Sequence, residues 1–168
     1  MENDGQPRAT REYYLDELTV GQRFASGAYR VDAKQIIAHA REFNPQPFHL
    51  DDAAARETIF GGLAASGMHT AAITIRLLVE GGPRLAGGII ASGCEIRWPR
   101  PTRPGDVLQV KSEVLEIEPS RSRADRGFAT LRSDTYNQHG EIVQTFKIKL
   151  LAPRQRSSSS AERQTPAE

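Results

Sequence analysis

The residues best suited to chemistry lie in two neighbouring stretches that together supply a proton-transfer group and a helix start. In the first stretch, Pro45 and Pro47 brace a loop that presents His49 between acidic flanks. An imidazole can move a proton near neutral pH, so His49 is a candidate acid/base. In the second stretch, small residues lead into a helix at Gly67, and free N–H groups at a helix start can polarise a carbonyl oxygen.

Asn44 and Ser66 each permit a structural and a functional role. Asparagine before proline favours a turn, so Asn44 can hold the loop or contact a ligand. Ser66 directly precedes the helix, which makes it a candidate cap, and a cap can also bind a ligand. Asp51 is interpreted as the cap of the next short helix and not as a catalyst.

The remaining histidines and the single cysteine have simpler interpretations. His69 falls on a helix that is apolar on every side, so it is predicted to be buried in the core or at an interface. His39 and His139 are predicted to face solvent. Cys94 is predicted to be a small, buried, apolar residue on a strand.

The first half of the chain must position these residues with one strand and several helices. Residues 24–31 form a predicted strand, and Asp32 with Gln35 forms a capping box that opens a helix. Pro45 and Pro47 end that helix and predict an extended or turning segment through His49. A short helix follows Asp51, and a nearly uncharged helix over 67–80 must be wrapped by other elements.

The second half of the chain alternates polar and apolar residues with period two, which predicts antiparallel strands with one solvent-exposed face. The predicted strands are 87–97, 107–117, 127–136 and 141–151. Residues 137–140 form a hairpin connection, and residues 101–106 form the turn between the earlier two strands. The chain is therefore predicted to be an α+β domain in which a curved sheet wraps one long helix.

Composition excludes several classes of protein. The 168 residues suit one domain, which we place at residues 13–152 between a flexible leader (1–12) and a disordered tail (153–168). One cysteine excludes a disulfide scaffold and a multi-cysteine zinc site, and it fits the cytoplasm. A net charge of +1, with no basic run, argues against nucleic-acid or membrane partners. The uncharged stretch 58–75 is too polar to be lipid-exposed.

Three motifs resemble those of the MaoC-like dehydratases of the hotdog fold, the family that includes (R)-specific enoyl-CoA hydratases. They lie at residues 44–51, 60–67 and 98–106, and the resemblance extends from about residue 13 to residue 153. It implies a sheet curled around the long helix, and usually a second copy whose sheet continues the first, with the substrate tunnel at the interface. The expected partners are therefore a second copy of the chain and an acyl-CoA or acyl-carrier-protein thioester.

The resemblance also implies a mechanism that needs no metal or organic cofactor. In these hydratases an Asp and a His five residues later activate one water, which adds across the double bond of the acyl thioester. A backbone N–H at the helix start binds the thioester oxygen. Carried over to this chain, His49 is the family histidine and Gly67 the backbone donor, with Ser66 and Gly62 as further substrate-binding residues.

The chain departs from the family at the position of the aspartate, which is Asn44. An amide has no useful basicity and no negative charge, so the two-residue mechanism is incomplete. In an alternative alignment with a two-residue insertion, Glu42 takes the acidic place; the five-residue spacing to His49 favours Asn44. Three functions stay open: a hydratase, a non-catalytic acyl-thioester-binding subunit, and a hotdog thioesterase.

Overall fold

The second half of the chain forms the predicted antiparallel sheet, which curls around one long helix. The computed structural model describes residues 11–155. The strands are β1 (Arg23–Arg30), β2 (Ile90–Arg97), β3 (Val107–Pro119), β4 (Arg126–Tyr136) and β5 (Ile142–Pro153). The helices are α1 (Ala33–Phe43), α2 (Pro47–Leu50), α3 (Asp52–Arg56) and α4 (Gly67–Gly81), and a 3₁₀ turn covers Leu15–Glu17. In the described residues the strand order is β1-β3-β4-β5-β2, which confirms the predicted α+β layout.

Helix α4 is the centre of the core. Its mostly apolar sequence buries Ile73, Leu77 and Leu78 against the inner face of the sheet. A fully buried Leu or Ile contributes about 1.5–3 kcal/mol relative to an exposed one. The sheet therefore curls around this nearly uncharged helix, as the sequence predicted, while Met68, Ile75 and Val79 leave one face of the helix exposed. None of the helices within residues 11–155 combines the length and apolar character needed to cross a membrane.

The period-two pattern of β3 is confirmed residue by residue. Leu108, Val110, Ser112 and Val114 are buried, while Gln109 between them is exposed. In β5, the apolar residues 143, 146, 148 and 150 are buried as well, while Ile142 is half-buried. The sheet therefore has one face on the core, because side chains alternate across a strand.

The two predicted turns have different outcomes. Residues 137–140 form the expected hairpin, in which the Asn137 N–H donates to the Glu141 carbonyl at 3.0 Å and Gly140 has a φ of 74°. Residues 101–106 do not join neighbouring strands, since β2 lies at one edge and β3 lies beside β1 near the other. The predicted turn at Pro104 and Gly105 is present, with the Asp106 N–H donating to the Arg103 carbonyl at 3.2 Å, but residues 98–106 as a whole cross the sheet from β2 to β3. They pass the start of α4, where the Ala65 N–H donates to the Thr102 carbonyl at 2.9 Å.

The segment around His49 also differs from the prediction in one respect. The capping box of α1 is present, since the Asp32 carboxylate accepts from the Lys34 N–H and the Gln35 side chain accepts from the Asp32 N–H. After α1, however, Pro47 opens the one-turn helix α2 where an extended or turning segment was predicted. The fixed φ of proline suits the first helical position, where no N–H is needed.

Strand β5 reaches further than the predicted end of the domain. It continues to Pro153, and the Arg154 N–H then donates to the Asp125 carbonyl at 2.8 Å. The Arg154 side chain and the Gln155 N–H both bond to the Asp16 carboxylate. Residues 1–10 and 156–168 lie outside the described residues, so the leader and most of the tail stay predictions.

Strand β2 is the edge of the sheet, and nearly all of its residues are exposed. Cys94 is among them, so the prediction that it is buried is wrong. The reason is its position: β2 contacts β5 on one side, and its other edge has no neighbouring strand within residues 11–155. An exposed edge leaves unpaired backbone groups that another strand can use.

Candidate active site

The structure brings the two predicted stretches together around one cavity of about 430 Å³. Helix α2, the start of α4 and the crossing segment 98–106 surround it. Asn44, His49 and Gly67 all line the cavity, and so does Trp98. The sequence motifs that were separated along the chain are therefore parts of one site.

His49 is held in one orientation. Its side chain is buried, with 5% exposure, and its Nδ1 lies 2.7 Å from the Ala64 carbonyl oxygen. Because a carbonyl can only accept, Nδ1 carries the hydrogen and donates it, which leaves Nε2 with a free lone pair. The rings of Phe48 and Phe60 lie 4.6 and 5.8 Å from the imidazole, centroid to centroid. The imidazole of His49 is thus presented to the cavity beside two aromatic rings, and in its neutral form Nε2 is the atom that can accept a proton.

Asn44 ends α1 and reaches the same cavity. Its N–H donates to the Ala40 carbonyl at 2.9 Å, which makes it the C-terminal cap of that helix. Its side-chain oxygen Oδ1 accepts from Gln46 Nε2 at 2.9 Å. The amide nitrogen Nδ2 makes no hydrogen bond within residues 11–155 and can donate to a molecule in the cavity, while Oδ1 keeps a second lone pair; neither atom can take a proton as a carboxylate can.

Glu42, the alternative acidic residue, points elsewhere. It is exposed on the last turn of α1 and does not line the cavity. Its charge acts on His39, where it opposes the lowering of that pKa by burial. The structure therefore places Asn44, and not Glu42, beside His49.

Ser66 caps α4 and leaves backbone donors at the cavity. Its buried hydroxyl accepts from the His69 N–H at 3.2 Å. The first N–H groups of an α-helix have no partners inside the helix. Because the His69 N–H already donates to Ser66, the N–H groups of Gly67 and Met68 are the ones that can face a ligand. Both of these residues line the cavity.

Trp98 explains why position 67 must be glycine. A Cβ atom built on Gly67 would lie 2.6 Å from Trp98 Cε2, closer than real Cβ contacts. The indole therefore packs directly on the backbone of the helix start. Behind it, Trp98 Nε1 donates to Gln144 Oε1 at 2.8 Å.

Gly62 lies outside the lining of the cavity, in a loop held by Arg103. The guanidinium donates to the carbonyls of Gly62 at 2.6 Å, of Leu63 at 3.3 Å and of Phe60. The Asp52 carboxylate accepts from the Leu63 N–H at 2.9 Å. This loop leads directly to the Ala64 carbonyl that orients His49. A role for Gly62 in substrate binding stays a prediction.

His39 and His69 form a stacked pair between α1 and α4. Their ring centroids are 4.5 Å apart, with an interplanar angle of 10°. His69 is buried, as predicted, but His39 is half-buried, so the prediction that it faces solvent is wrong. The Nδ1 atoms of both rings are buried without a hydrogen-bond partner. Within residues 11–155, no three His, Cys, Asp or Glu side chains are placed to hold a metal ion.

We expect this pair to make stability depend on pH. Burial, and then the neighbouring His39, lowers the pKa of His69 to about 4, and burial also lowers the pKa of His39. Between about pH 6.5 and about pH 4, these histidines therefore bind protons in the unfolded chain but not in the native state. The free energy of unfolding should fall as the pH is lowered through this window, by up to about 3 kcal/mol for His69.

Urea unfolding near pH 7.5 and near pH 4.5 measures this effect. His69→Phe can still stack on His39 but cannot bind a proton, so it should flatten most of the difference between the two pH values. His139→Gln removes a histidine that is exposed, and it should keep the wild-type difference. An unchanged pH dependence in His69→Phe would show that other groups cause it.

Sequence reasoning did not assign the residues that support the cavity. Arg103, Trp98 and Gln144 are not among the predicted site residues. One signal was present: Gln144 interrupts the buried apolar residues of β5 with a polar side chain. A buried amide needs partners, so such an interruption indicates a network.

Three comparisons with known proteins agree with this geometry. The family model of the MaoC like domain matches residues 17–136, which include every residue of the site except Gln144. YdeM, an uncharacterized protein of Bacillus subtilis strain 168, is 37% identical over 143 residues, 83% of this chain and 99% of its own length. The 3-hydroxybutyryl-CoA dehydratase of Methylorubrum extorquens is 38% identical over 116 residues, 68% of this chain and 71% of that protein. The crystal structure of a MaoC-like dehydratase from Rhodospirillum rubrum has 56% identity and a TM-score of 0.84, covering 86% of this chain and 99% of that one.

Proposed function

Because this chain belongs to the MaoC-like domain family, with a hotdog fold, we propose that it adds water to, or removes it from, an acyl-CoA or acyl-carrier-protein thioester. The observation that carries the proposal is the shared cavity in which His49 Nε2 is free and the start of α4 presents backbone N–H groups. The name of the Methylorubrum extorquens relative, a 3-hydroxybutyryl-CoA dehydratase, supports a short 3-hydroxyacyl or enoyl substrate.

His49 is the proposed acid/base. Its Nε2 accepts a proton from water as the water oxygen bonds to the β-carbon of the enoyl group. The same Nε2 then gives that proton to the α-carbon, so that one water is added and the histidine returns to its neutral form. Dehydration is the reverse sequence. A histidine whose Nδ1–H is held by the Ala64 carbonyl is fixed in the tautomer that this step needs.

The Gly67 N–H is the proposed donor to the thioester oxygen. Attack at the β-carbon moves negative charge onto that oxygen, and a helix N-terminus stabilises it through its free N–H groups and its dipole. The Met68 N–H lies next in the chain and also borders the cavity. These donors are already in place, because the Ser66 hydroxyl caps the helix by accepting from the His69 N–H and leaves the N–H groups of Gly67 and Met68 for a ligand.

Asn44 is the proposed water-orienting residue. Its Nδ2 can donate to the oxygen of the attacking water, and its Oδ1, which accepts one hydrogen bond from Gln46, has a second lone pair. It cannot share the proton-transfer role, so His49 alone takes and gives the proton. This division of roles implies a slower reaction than one with a carboxylate at position 44.

The proposed active form is a homodimer. The edge strand β2 is exposed, and so are the apolar side chains of Met68, Ile75 and Val79 on α4. Met68 is 59% exposed while also lining the cavity, so the cavity is open on this side. A second copy placed here would continue the sheet and close the cavity.

The direct test is hydration of crotonyl-CoA by the purified protein, followed by loss of the enoyl absorbance and by detection of 3-hydroxybutyryl-CoA. We expect turnover by a symmetric homodimer, with its size measured in the same preparation. Release of free CoA thiol in place of hydration would indicate a thioesterase. Absence of both products with crotonyl-CoA and with longer enoyl-CoA thioesters would contradict the proposal.

A second candidate function rests on Asn44 alone. A chain without the acidic residue could bind an acyl thioester without converting it, as one half of a heterodimer whose partner has the complete pair. Tight binding of crotonyl-CoA without turnover would favour this function. Turnover by the homodimer would exclude it.

A further inference from the structure

The indole of Trp98 forms a wall of the cavity at the point where the thioester oxygen is proposed to bind. It packs on Gly67 so closely that even a Cβ there would lie 2.6 Å from Trp98 Cε2. Its outer side is open, since Trp98 is 45% exposed. Packing from inside the protein therefore fixes only one side of the ring.

A buried chain of hydrogen bonds fixes the position of this wall. Trp98 Nε1–H donates to Gln144 Oε1 at 2.8 Å, and Gln144 Nε2 donates to Thr74 Oγ1 at 2.9 Å. The Thr74 hydroxyl can then donate to Thr135 Oγ1, 2.7 Å away. Gln144, Thr74 and Thr135 are all 0% exposed.

This series of hydrogen bonds has only one possible direction, because an indole N–H can only donate. The Gln144 amide must therefore turn its oxygen toward Trp98 and its nitrogen toward Thr74. Rotation of either ring or amide would leave a buried polar atom without a partner, which is strongly unfavourable. The hydrogen bond to a buried acceptor thus fixes the orientation of a ring that is partly exposed.

Packing alone does not call for a glutamine at this position. The same strand buries Phe146, Ile148 and Leu150, and an apolar side chain would fill the space without needing partners. Gln144 uses its amide for two bonds, one to α4 and one to Trp98. The contribution of Gln144 is therefore to orient the Trp98 ring, which an apolar side chain could not do.

We propose that Trp98 is a specificity-determining residue that favours short acyl groups, and that Gln144 is the positioning residue that holds it. The proposal rests on the proposed function, in which the Gly67 N–H binds the thioester oxygen. An oxygen bound there brings the acyl carbons beside Gly67, where the indole already fills the space. A short acyl group fits beside the ring, whereas a longer one has to displace it.

Fluorescence tests the positioning role without any assay of activity, because Trp98 is the only tryptophan among the 168 residues. Gln144→Met removes both hydrogen bonds at similar volume. We expect its emission to shift to longer wavelength and its quenching by acrylamide to rise about twofold or more as the ring is released into water. Gln109→Met changes an exposed glutamine of β3 and should leave both signals unchanged.

Chain-length selectivity tests the specificity role. In Trp98→Ala, the ratio of kcat/KM for 2-octenoyl-CoA to that for crotonyl-CoA should rise about tenfold or more, since the wall is removed. Trp98→Phe loses the hydrogen bond to Gln144 and part of the ring, so it should change the ratio in the same direction but by less than Trp98→Ala. Gln144→Met should change the ratio in the same direction as Trp98→Ala, through KM for the longer substrate.

The outcomes separate this inference from the proposed function. If the wild type hydrates crotonyl-CoA but Trp98→Ala leaves the ratio unchanged, the inference is overturned and the function stands. If the wild type binds without turnover, the ratio of Kd values for butyryl-CoA and octanoyl-CoA replaces the kinetic ratio, with the same expected change. If neither binding nor turnover occurs, both are overturned. Should Gln144→Met fail to fold, Trp98→Ala and Trp98→Phe still decide the matter at a partly exposed position.

Discussion

Replacing His49 by glutamine is expected to lower kcat/KM for crotonyl-CoA by about 10³-fold, within the 10²–10⁴-fold range typical of acid/base catalysis. The glutamine nitrogen can keep the hydrogen bond to the Ala64 carbonyl, so the loop should stay in place. The variant lacks only a group that can take a proton from water and return it to carbon. Initial rates of hydration across substrate concentrations, with the wild type measured in parallel, give the value.

The matched control is His139→Gln, in the exposed turn between β4 and β5. It removes one exposed imidazole that does not line the cavity and should retain wild-type kinetics. The urea concentration at the midpoint of unfolding should be nearly the same for His49→Gln as for the wild type. A folded His49→Gln variant with near wild-type kcat/KM would show that another group transfers the proton.

Replacing Asn44 by aspartate is expected to raise kcat/KM for crotonyl-CoA by about 10²-fold. The two side chains have nearly the same shape, and the aspartate can still accept from Gln46 Nε2. Its second oxygen then replaces the amide nitrogen at the cavity. A carboxylate there can accept a hydrogen bond from the attacking water and stabilise the positive charge on His49 while it holds the proton. The gain should appear mainly in kcat, because the charge matters most in the transition state.

A charge control separates this effect from a general one. Gln46→Glu adds a carboxylate in the same loop, but Gln46 is exposed and does not line the cavity. It should not reproduce the gain of Asn44→Asp. If the two variants change the rate equally, or if folded Asn44→Asp is no faster than wild type, position 44 does not contact the water. The double variant Asn44→Asp with His49→Gln should lose the gain, since both groups act on one water.

Local patterns determined much of this protein. The period-two alternation of β3, the capping box at Asp32 and the uncharged stretch that became α4 each depend on residues close together in the chain. The same holds for His49 in a proline-braced segment and for Ser66 as a helix cap. The missing carboxylate at Asn44 was also visible at once, because residue type needs no coordinates.

The tertiary structure alone decided which residues meet. The sequence favoured Asn44 over Glu42 by spacing alone, whereas the direction in which the end of α1 faces decides that Asn44, and not Glu42, lines the cavity. It predicted the turn at Pro104 and Gly105, but it did not show that the segment containing this turn crosses the sheet between two strands that are not neighbours. It also predicted Cys94 as buried, since a strand pattern does not reveal an uncovered edge.

The supporting network of the cavity shows the same limit most clearly. Trp98 and Gln144 are 46 residues apart, and Arg103 is about 40 residues from the carbonyls that it holds. Hydrogen bonds over such separations form only after the sheet has closed around α4, so no local pattern predicts them. The sequence therefore determined which groups are available for chemistry and which strand and helix faces are buried. The tertiary structure decided which of those groups share a cavity, because long-range packing, and not spacing along the chain, brings them together.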